Sequence, residues 1–409
     1  MTGNIVIGQS GGPTSVINSS AAGVYKAAKA AGVGKVYGMV YGIQGFLDDK
    51  LLDLDEYLAD DEGIELMKRT PAAFLGSCRF KLPPFAGNED LYEKIFLRME
   101  QYDISYMFYI GGNDSMDTVK MLSDYANRNN KKQKFIGVPK TIDNDLPITD
   151  HCPGYGSAAK YIATSVREII RDNAVYGDYR TSILIVEIMG RNAGWLTAAS
   201  ALCKDESCEG VDLIYLPEVD FDIESFLKKV KALARMKKSI VIAVSEGIHF
   251  DDGTFVCEME DHGNEGVDVF GHKQLSGCGV HLAAIIQKRL PYKARAVELS
   301  TLQRAAAHMA SLTDINEAFM AGEAAFHAAE KGLNGKMVVF TRTDNPYTCG
   351  TDISDIHNIA NTEKKVPLEW IGEDGCSVTE EYLAYARPLI LGELTPIFEN
   401  GLPKHLIRK

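Results

Sequence analysis

A lysine and two aspartates stand close together in the run Pro-Lys-Thr-Ile-Asp-Asn-Asp at 139–145, directly after the apolar stretch 135–138. Ligands of open α/β sheets bind beyond the carboxyl ends of the strands, and transfer of phosphate to an alcohol requires a base and positive charge there. We therefore predict Asp143 as the base and Lys140 as a phosphate clamp. A polar turn that merely ends a strand is the alternative. An EF-hand calcium loop fits less well, because Pro147 falls at a ligand position and the required glycine is missing.

Two glycine-rich loops precede this turn, and each follows an apolar stretch. The first, 9–15, contains the pair Gly11-Gly12 and precedes a helix predicted to begin near Ser15, and the second is 111–115. Adjacent glycines let backbone N–H groups approach an anion, and a helix N-terminus adds partial positive charge. Neither loop matches the Walker pattern or the dinucleotide G-x-G-x-x-G spacing. One Gly-Gly pair can occur in a tight turn for steric reasons only. The two glycine-rich loops and the turn 139–145 each follow a predicted strand, and together these three loops indicate a phosphate ligand.

Composition and charge limit the classes of function. The 409 residues, 45% hydrophobic and 24% charged, suffice for a large core and predict two lobes. The formal net charge of −13 argues against a nucleic-acid partner and requires any phosphate to be held by local positive charge. No apolar run approaches membrane-spanning length, and no basic segment followed by a hydrophobic one opens the sequence. We therefore expect a cytoplasmic protein without a membrane partner.

The cysteines and histidines form no metal-binding pattern along the sequence. None of the eight cysteines belongs to a C-x-x-C pair, and Cys203 and Cys208 have no second pair that would complete a zinc site. We expect the cysteines to be reduced, buried thiols. The nine histidines are scattered, and none lies four residues from another.

Strands alternate with helices along the chain. Apolar stretches predict strands at 4–8, 36–41, 106–110, 135–138, 182–188 and 239–244. In the predicted helix 161–172, Ile162, Val166 and Ile169 fall on one face. The alternation predicts an α/β protein with two Rossmann-like lobes, mainly parallel sheets and flanking helices. The Gly- and Asp-rich segment 251–266 is predicted to be a long surface loop.

With these loops, the chain resembles the phosphofructokinase superfamily, and more closely its pyrophosphate-dependent branch, over about residues 1–330. The motifs that carry the resemblance are Gly11-Gly12-Pro13, Leu75-Gly76-Ser77-Cys78-Arg79, Thr141-Ile142-Asp143-Asn144-Asp145 and Met189-Gly190-Arg191. The resemblance implies the phosphofructokinase fold. It also implies reversible transfer of phosphate from Mg²⁺-bound pyrophosphate to O1 of fructose 6-phosphate, which gives fructose 1,6-bisphosphate and phosphate.

The resemblance also implies a role for individual residues. The implied pyrophosphate ligands are Gly11, Gly12, Arg79 and Lys140. Asp143 is implied to be the base for the sugar 1-hydroxyl. The implied contacts of the sugar phosphate are Thr141, Asp143, Met189, Gly190, Arg191 and Glu246.

The arginines expected to bind the 6-phosphate could stand in either of two registers. The segment 271–274 copies the family's Gly-His-x-Gln, but Leu275 follows where the family has arginine. Arg295 and Arg304 preserve the family's nine-residue spacing, and Tyr292 stands three residues before Arg295, as in pyrophosphate enzymes. We prefer Tyr292, Arg295 and Arg304 as substrate ligands, which makes 262–291 an insertion and places Thr301 at the family's histidine position. Arginines that lie along a helix face without a ligand are the alternative.

The phosphoryl donor is predicted from two side chains that replace glycines of the ATP-dependent members. A carboxylate at Asp114 would occupy the space of a nucleotide α-phosphate and repel its charge, whereas pyrophosphate has no such group. Lys140 would hold the transferring phosphate and offset the charge of Asp114. In the family these two substitutions together mark the pyrophosphate-dependent enzymes.

Mg²⁺ is the implied cofactor, since phosphoryl transfer depends on positioning and charge neutralisation. Asn113 stands where the family has its metal-associated aspartate, so pyrophosphate, water and nearby carboxylates are expected to hold much of the ion. Ser182 occupies the place of an arginine that ATP enzymes supply across a subunit interface. Arg180 lies two residues earlier and is given no role.

The resemblance predicts three parts of the chain. These are a pyrophosphate lobe of 1–154 plus about 303–334, a sugar-phosphate lobe of 155–302, and a C-terminal extension of 335–409 packed on the body. We expect a homodimer or homotetramer. An ATP-dependent 6-phosphofructokinase and a sugar-phosphate sensor that has lost catalysis are the alternatives. The intact Asp143 and Lys140 oppose the sensor.

Overall fold

The computed structural model of the protein describes residues 3–258, 275 and 277–408. The strands of this part are β1 (Asn4–Gln9), β2 (Val36–Met39), β3 (Leu51–Asp53), β4 (Ile104–Gly111), β5 (Lys134–Pro139), β6 (Ser182–Ile188), β7 (Leu213–Tyr215), β8 (Ser239–Ser245), β9 (Lys293–Glu298), β10 (Lys336–Thr343), β11 (Thr348–Asp355), β12 (Phe398–Glu399) and β13 (Leu402–Pro403). The α-helices are α1 (Ile17–Ala30), α2 (Gly42–Leu47), α3 (Asp55–Leu58), α4 (Asp61–Arg69), α5 (Glu89–Gln101), α6 (Asn113–Arg128), α7 (Tyr155–Asn173), α8 (Trp195–Ala198), α9 (Ile223–Met236), α10 (Cys278–Arg289), α11 (Leu302–Ala305), α12 (Leu312–Glu330) and α13 (Glu380–Ala386).

The chain divides into two compact units. Unit 1 contains Met1–Ser157, Arg304–Glu363 and Gly392–Lys409, and unit 2 contains Ala158–Gln303 and Lys364–Leu391. The division describes how the chain packs and does not identify ligands. The assignment of a pyrophosphate lobe and a sugar-phosphate lobe therefore stays a prediction. About half of the predicted insertion lies outside the described residues, and its later part contains α10. Within the described residues, no helix is both long and apolar enough to cross a membrane.

The sheet of unit 1 has the strand order β11-β10-β5-β4-β1-β2-β3. The five inner strands are parallel, and β3 and β11 close the two edges in antiparallel orientation. The register pairs Gln9 with Ile110 and Gly111 with Pro139. The central strands β1, β4 and β5 therefore end at one level, and the three loops predicted to bind phosphate leave the sheet at the same edge.

Side chains of the central strands alternate between two apolar cores. Ile5 and Ile7 of β1 pack in one core, which also contains residues of α1 and α12. Val6 packs in the other, with residues of α5 and α6. Since a parallel sheet is covered by helices on both faces, its strands are apolar throughout. Each fully buried Val or Ile contributes roughly 1.5–3 kcal/mol to stability.

Unit 2 contains a smaller sheet with the order β7-β8-β6-β9, and all of its pairs are parallel. Its core includes Ile183, Ile185, Ile240 and Ile242 from the two central strands and Phe226 from α9. The predicted α/β class with mainly parallel sheets and flanking helices is thus confirmed.

The predicted elements match the inner part of each sheet. All six predicted strands are present with ends that differ by at most two residues, and the predicted helix 161–172 lies within α7. The helix expected near Ser15 begins at Ile17. Residues of the predicted C-terminal extension supply β10 and β11 of the large sheet. The predicted surface loop 251–266 lies partly outside the described residues, and its described part ends in a short 3₁₀ turn at Val256–Glu258.

Helices α1 and α12 approach each other closely through two glycines. A Cβ atom added to Gly23 would collide with the backbone oxygen of Phe319, and one added to Gly322 would collide with that of Ser20. Ser19 donates a hydrogen bond from its hydroxyl to the Ile315 carbonyl at 2.7 Å across the same contact. The close approach therefore requires a residue without a side chain on each helix.

We expect Gly322→Ala to lower the free energy of unfolding by about 1–3 kcal/mol, because backbone atoms cannot yield to the added methyl group. Helix propensity alone would act the other way and stabilise by about 1 kcal/mol, so the sign of the change decides which effect dominates. Urea denaturation followed by circular dichroism measures it. Asn316→Ala, at an exposed position of the same helix, is the control and should change stability by less than about 0.5 kcal/mol.

Candidate active site

The first glycine loop of unit 1 is flanked by two cations. Gly11 has a φ of +77°, which favours glycine. Lys140 donates a hydrogen bond from Nζ to the carbonyl oxygen of Gly12 at 2.8 Å. A Cβ atom on Gly11 would lie 3.3 Å from Lys140 Nζ, and one on Gly12 would lie 3.1 Å from Nη1 of Arg304. The absence of side chains therefore lets an ammonium and a guanidinium reach the backbone of this loop.

Lys140 is only 4% exposed. Burial lowers its pKa to about 8, and nearby Arg304 acts in the same direction, whereas Asp143 and Asp145 oppose the shift. A buried ammonium with depressed pKa is energetically costly in the free protein and is favoured once an anion adds negative charge beside it. This arrangement suits the binding of a phosphate group.

The segment that carries Arg79 is fastened to the same loop. Ser77 donates from Oγ to the Gly11 carbonyl at 2.6 Å, and the Gly11 N–H donates to the Cys78 carbonyl at 3.2 Å. Arg79 itself is exposed. Its backbone position is thus fixed relative to Gly11, while its long side chain lies on the surface, where a ligand can reach it.

The buried side-chain amides of Gln9 and Asn18 hold this segment in place. The Leu75 N–H donates to Oε1 of Gln9 at 3.0 Å, and the Phe74 N–H donates to Oδ1 of Asn18 at 2.9 Å. Gln9 Nε2 donates in turn to Asn18 Oδ1 at 2.9 Å. Sequence reasoning missed both amides, although a glutamine at the end of an apolar strand is a usable signal, because a buried amide requires partners.

The turn that presents Asp143 is fixed through its neighbours. The Lys140 N–H donates to the Gly111 carbonyl at 3.0 Å, and the Asp143 N–H donates to Oγ1 of Thr141 at 3.0 Å. Asn144 has a φ of +55°, and its side-chain oxygen accepts from the Cys152 N–H at 3.0 Å. The backbone is therefore held on both sides of Asp143, whose side chain is half-buried.

Asn113 and Asp114 form the first turn of α6, directly after the second glycine loop. Asp114 is exposed. In the part of the chain that the structure describes, neither polar atom of the buried Asn113 amide has a hydrogen-bond partner, and the same holds for Oδ1 of Asp145. Unpartnered buried oxygens are costly unless a ligand satisfies them, so these residues fit the edge of a site for a metal-bound phosphate.

Four of the residues predicted to contact the sugar phosphate lie together in unit 2, where β6 and β8 end. The Gly190 N–H donates to Oε1 of Glu246 at 3.3 Å, and the Glu246 N–H donates to the Ile188 carbonyl at 3.0 Å. Gly190 has a φ of +145°, and its carbonyl accepts from the Ser245 hydroxyl. Met189 and Arg191 flank this glycine, so the structure brings the Met-Gly-Arg motif and Glu246 into contact.

Arg295 and Arg304 lie in different environments. Arg295 stands on the edge strand β9 opposite Leu184 and is exposed, and Tyr292 precedes the strand and packs partly against the core of unit 2. Arg304 lies in unit 1 beside Gly12. Gln303, which directly precedes Arg304, accepts from the Met189 N–H at 3.4 Å.

The family model described as Phosphofructokinase matches residues 4–329, and the chain belongs to this family. It is 42% identical to the pyrophosphate--fructose 6-phosphate 1-phosphotransferase of Halomonas elongata over 404 residues, which cover 98% of this chain and 95% of the relative. It is also 42% identical to the protein of the same name from Methylococcus capsulatus over 406 residues, with the same coverage of both chains. The crystal structure of a pyrophosphate-dependent phosphofructokinase from Nitrosospira multiformis is similar with a TM-score of 0.88 and 37% identity, and the match covers 98% of this chain and 95% of that one.

We expect Lys140→Met to raise the free energy of unfolding at pH 7 by about 1–3 kcal/mol, because the lowered pKa corresponds to roughly 3 kcal/mol of unfavourable charge burial. The folded-state pKa lies below the unfolded one, so the cost is complete below pH 8 and vanishes as the pH rises toward 10.5. The difference in urea midpoint between variant and parent should therefore be smaller at pH 10 than at pH 7. Lys132→Met, at an exposed position, is the control. If Lys140→Met is less stable than the parent at pH 7, attraction of the ammonium to Asp143 and Asp145 outweighs the cost of its burial.

Proposed function

We propose that the protein transfers phosphate from pyrophosphate to O1 of fructose 6-phosphate and so gives fructose 1,6-bisphosphate and phosphate. The observation that carries this proposal is the buried Lys140 ammonium, which contacts the first glycine loop and begins the turn that presents Asp143. The names of the relatives from Halomonas and Methylococcus support it. The reaction is expected to run in both directions and to serve glycolysis and gluconeogenesis.

Asp143 acts as the base of this reaction. Its carboxylate accepts the proton of the 1-hydroxyl while O1 bonds to the transferring phosphorus, and the bond from that phosphorus to the bridging oxygen of pyrophosphate breaks. Lys140 and Arg79 offset the negative charge of the phosphates. The Gly11 N–H already donates to the Cys78 carbonyl, so Gly11 contributes the left-handed turn and the backbone N–H of Gly12 binds a phosphate oxygen. The leaving group is inorganic phosphate.

Donor choice follows from Asp114 and Lys140. The exposed Asp114 carboxylate lies at the N-terminus of α6, where a longer nucleotide phosphate chain would meet its charge. Lys140 supplies binding energy that a nucleotide enzyme obtains from adenosine. An ATP-dependent enzyme is therefore the less favoured reading. Because the proposed base Asp143 and the proposed phosphate clamp Lys140 are both present, a sensor that has lost catalysis is not favoured.

Mg²⁺ is the proposed metal, and it would neutralise phosphate charge when bound with pyrophosphate. The unpartnered oxygens of Asn113 and Asp145 fit a hard cation, which prefers oxygen ligands and keeps several waters. These two residues would hold the ion from the protein side.

The substrate contacts implied by the family motifs hold the sugar phosphate in this proposal. Met189, Gly190 and Arg191 present the turn after β6, and Glu246 accepts hydrogen bonds from sugar hydroxyls. Thr141 contributes from the catalytic turn, and Tyr292, Arg295 and Arg304 bind the 6-phosphate. Arg304 also lies beside Gly12, so its guanidinium adds positive charge at the donor loop. A cytoplasmic homodimer or homotetramer completes the proposal.

A coupled assay with fructose 6-phosphate and Mg²⁺ tests the donor, with pyrophosphate supplied in one reaction and ATP in the other. We expect turnover with pyrophosphate only, and activity with ATP only would overturn our account of Asp114 and Lys140. The double variant Asp114→Gly, Lys140→Gly should gain activity with ATP and lose it with pyrophosphate, because it removes the repulsion and the clamp together. Absence of turnover by the parent with both donors would favour a sugar-phosphate sensor that has lost catalysis.

Asp143→Asn should lower kcat by about 10²–10⁴-fold, because the amide cannot accept the hydroxyl proton, while KM for fructose 6-phosphate should change only a few-fold. Steady-state kinetics with pyrophosphate measures both constants. Asp61→Asn, which alters an exposed carboxylate at the start of α4, is the matched control and should leave kcat unchanged. Retention of more than a tenth of kcat by Asp143→Asn would rule out Asp143 as the base.

A further inference from the structure

Three separate segments of unit 1 bring a histidine, a glutamate and a cysteine together. His151 follows the catalytic turn, Glu317 lies on α12, and Cys349 lies on β11. One ligand atom from each of the three lies within 4.8 Å of the other two. His151 is 1% exposed and Glu317 is 7% exposed. An imidazole, a carboxylate and a thiol that converge in a buried place form a ligand set typical of zinc.

The two polar ligands are oriented by partners on their outer sides. Nδ1 of His151 lies 2.8 Å from Oδ2 of Asp150, and the Tyr347 hydroxyl donates to Oε1 of Glu317 at 2.7 Å. Nε2 of His151 and Oε2 of Glu317 consequently face each other at 2.8 Å. Metal-binding histidines characteristically bond a carboxylate through their other nitrogen, and metal-binding carboxylates are themselves hydrogen-bonded.

The backbone around His151 is fixed to the sheet. The Asp150 N–H donates to the Phe340 carbonyl at 3.1 Å, and the Phe340 N–H donates to Oγ1 of Thr149 at 2.9 Å. The His151 ring packs on the Phe340 ring with centroids 4.8 Å apart. The imidazole is therefore held in one orientation before any ion binds.

The formal charges of the cluster balance in two different states. Arg342, with Nη1 3.7 Å from Oδ2 of Asp150 and Nε 2.7 Å from Oδ1 of the exposed Asp344, compensates Asp150 only in part in either state. The second carboxylate, Glu317, is balanced when His151 carries both ring protons and Cys349 is a thiol. A divalent ion that replaces one imidazole proton and the thiol proton leaves the total charge unchanged. The exchange of two protons for one divalent cation therefore adds no net charge to this buried place.

We propose that His151, Glu317 and Cys349 bind one Zn²⁺ ion per chain. His151 binds through Nε2, Glu317 through Oε2 and Cys349 through its thiolate, and a water molecule takes the fourth position. Tetrahedral zinc holds N and O ligands about 2.0–2.2 Å away, which separates the two ligands by roughly 3.4 Å. Nε2 and Oε2 must therefore move apart by about 0.6 Å from their present hydrogen bond.

The ion would connect the segment after the turn that carries Asp143 to two other elements of unit 1. His151 lies eight residues after Asp143, and the segment between them is also fastened where Asn144 accepts from the Cys152 N–H. A metal bond to α12 and to the hairpin of β10 and β11 would hold the end of this segment. The proposal concerns a site separate from the Mg²⁺ and phosphate ligands and does not depend on the proposed reaction.

Metal content and a cobalt probe test the site directly. The full-length protein is treated with chelator, dialysed with one equivalent of Zn²⁺ or Co²⁺, and analysed by elemental analysis and by absorption spectroscopy. We expect one ion per chain, a thiolate-to-cobalt charge-transfer band and a rise of the thermal midpoint with Zn²⁺. Cys349→Ser should lose the band and bind at least ten-fold more weakly, and His151→Gln should do the same.

Cys376→Ser is the control, because it removes a buried thiol of unit 2 that lies outside the cluster, and it should bind like the parent. Circular dichroism of the metal-free variants checks that they fold. If His151→Gln fails to fold, Cys349→Ser decides alone, since serine preserves the size of the side chain. Binding of no ion by the parent, or an unchanged cobalt band in Cys349→Ser, would overturn the proposal and leave the cluster as a hydrogen-bonded ion network.

Discussion

The buried ammonium of Lys140 is the interaction on which the candidate donor site depends. A cation in this place is unfavourable by itself, as its lowered pKa shows, and it is tolerated because the Gly12 carbonyl and the carboxylates of Asp143 and Asp145 surround it. The missing side chain of Gly11 leaves room for this charge, since a Cβ atom there would lie 3.3 Å from Lys140 Nζ. The stability that offsets the cost comes from the two apolar cores on either side of the sheet. The free protein thus holds positive charge ready for an anion.

The sequence predicted the strands that lie inside a sheet and missed those at its edges. Strands β1, β4, β5, β6 and β8 are covered on both faces and are therefore continuous apolar runs, which a periodicity argument recognises. β3, β9 and β11 are half-exposed and carry charged residues, so their local pattern resembles that of loops. β10 is apolar but lies beyond the region where the family motifs are found. Its place beside β5 follows from tertiary packing, which local sequence does not contain.

The candidate site divides in the same way between local and distant relationships. Lys140 and Asp143 were predicted because they stand together after an apolar strand, and Met189 and Arg191 because their motif resembles that of the family. The contacts of Leu75 with Gln9 and of Phe74 with Asn18 join residues more than fifty positions apart, and the position of Arg304 beside Gly12 depends on the path of the whole chain. The histidine-glutamate-cysteine cluster has no sequence pattern at all, because each ligand comes from a different element.

The discontinuity of unit 1 has a consequence for how the protein is made. Strand β5, which leads into the catalytic turn, is flanked on one side by β10, and β10 is synthesised about two hundred residues later. A ribosome that has produced the first half of the chain has therefore exposed one side of β5 as an open sheet edge, which can pair with another chain. Unit 2 is largely encoded within that interval. The sheet that carries the candidate donor loops is consequently completed late in synthesis, and a chain truncated before residue 336 would lack the strand that protects this edge.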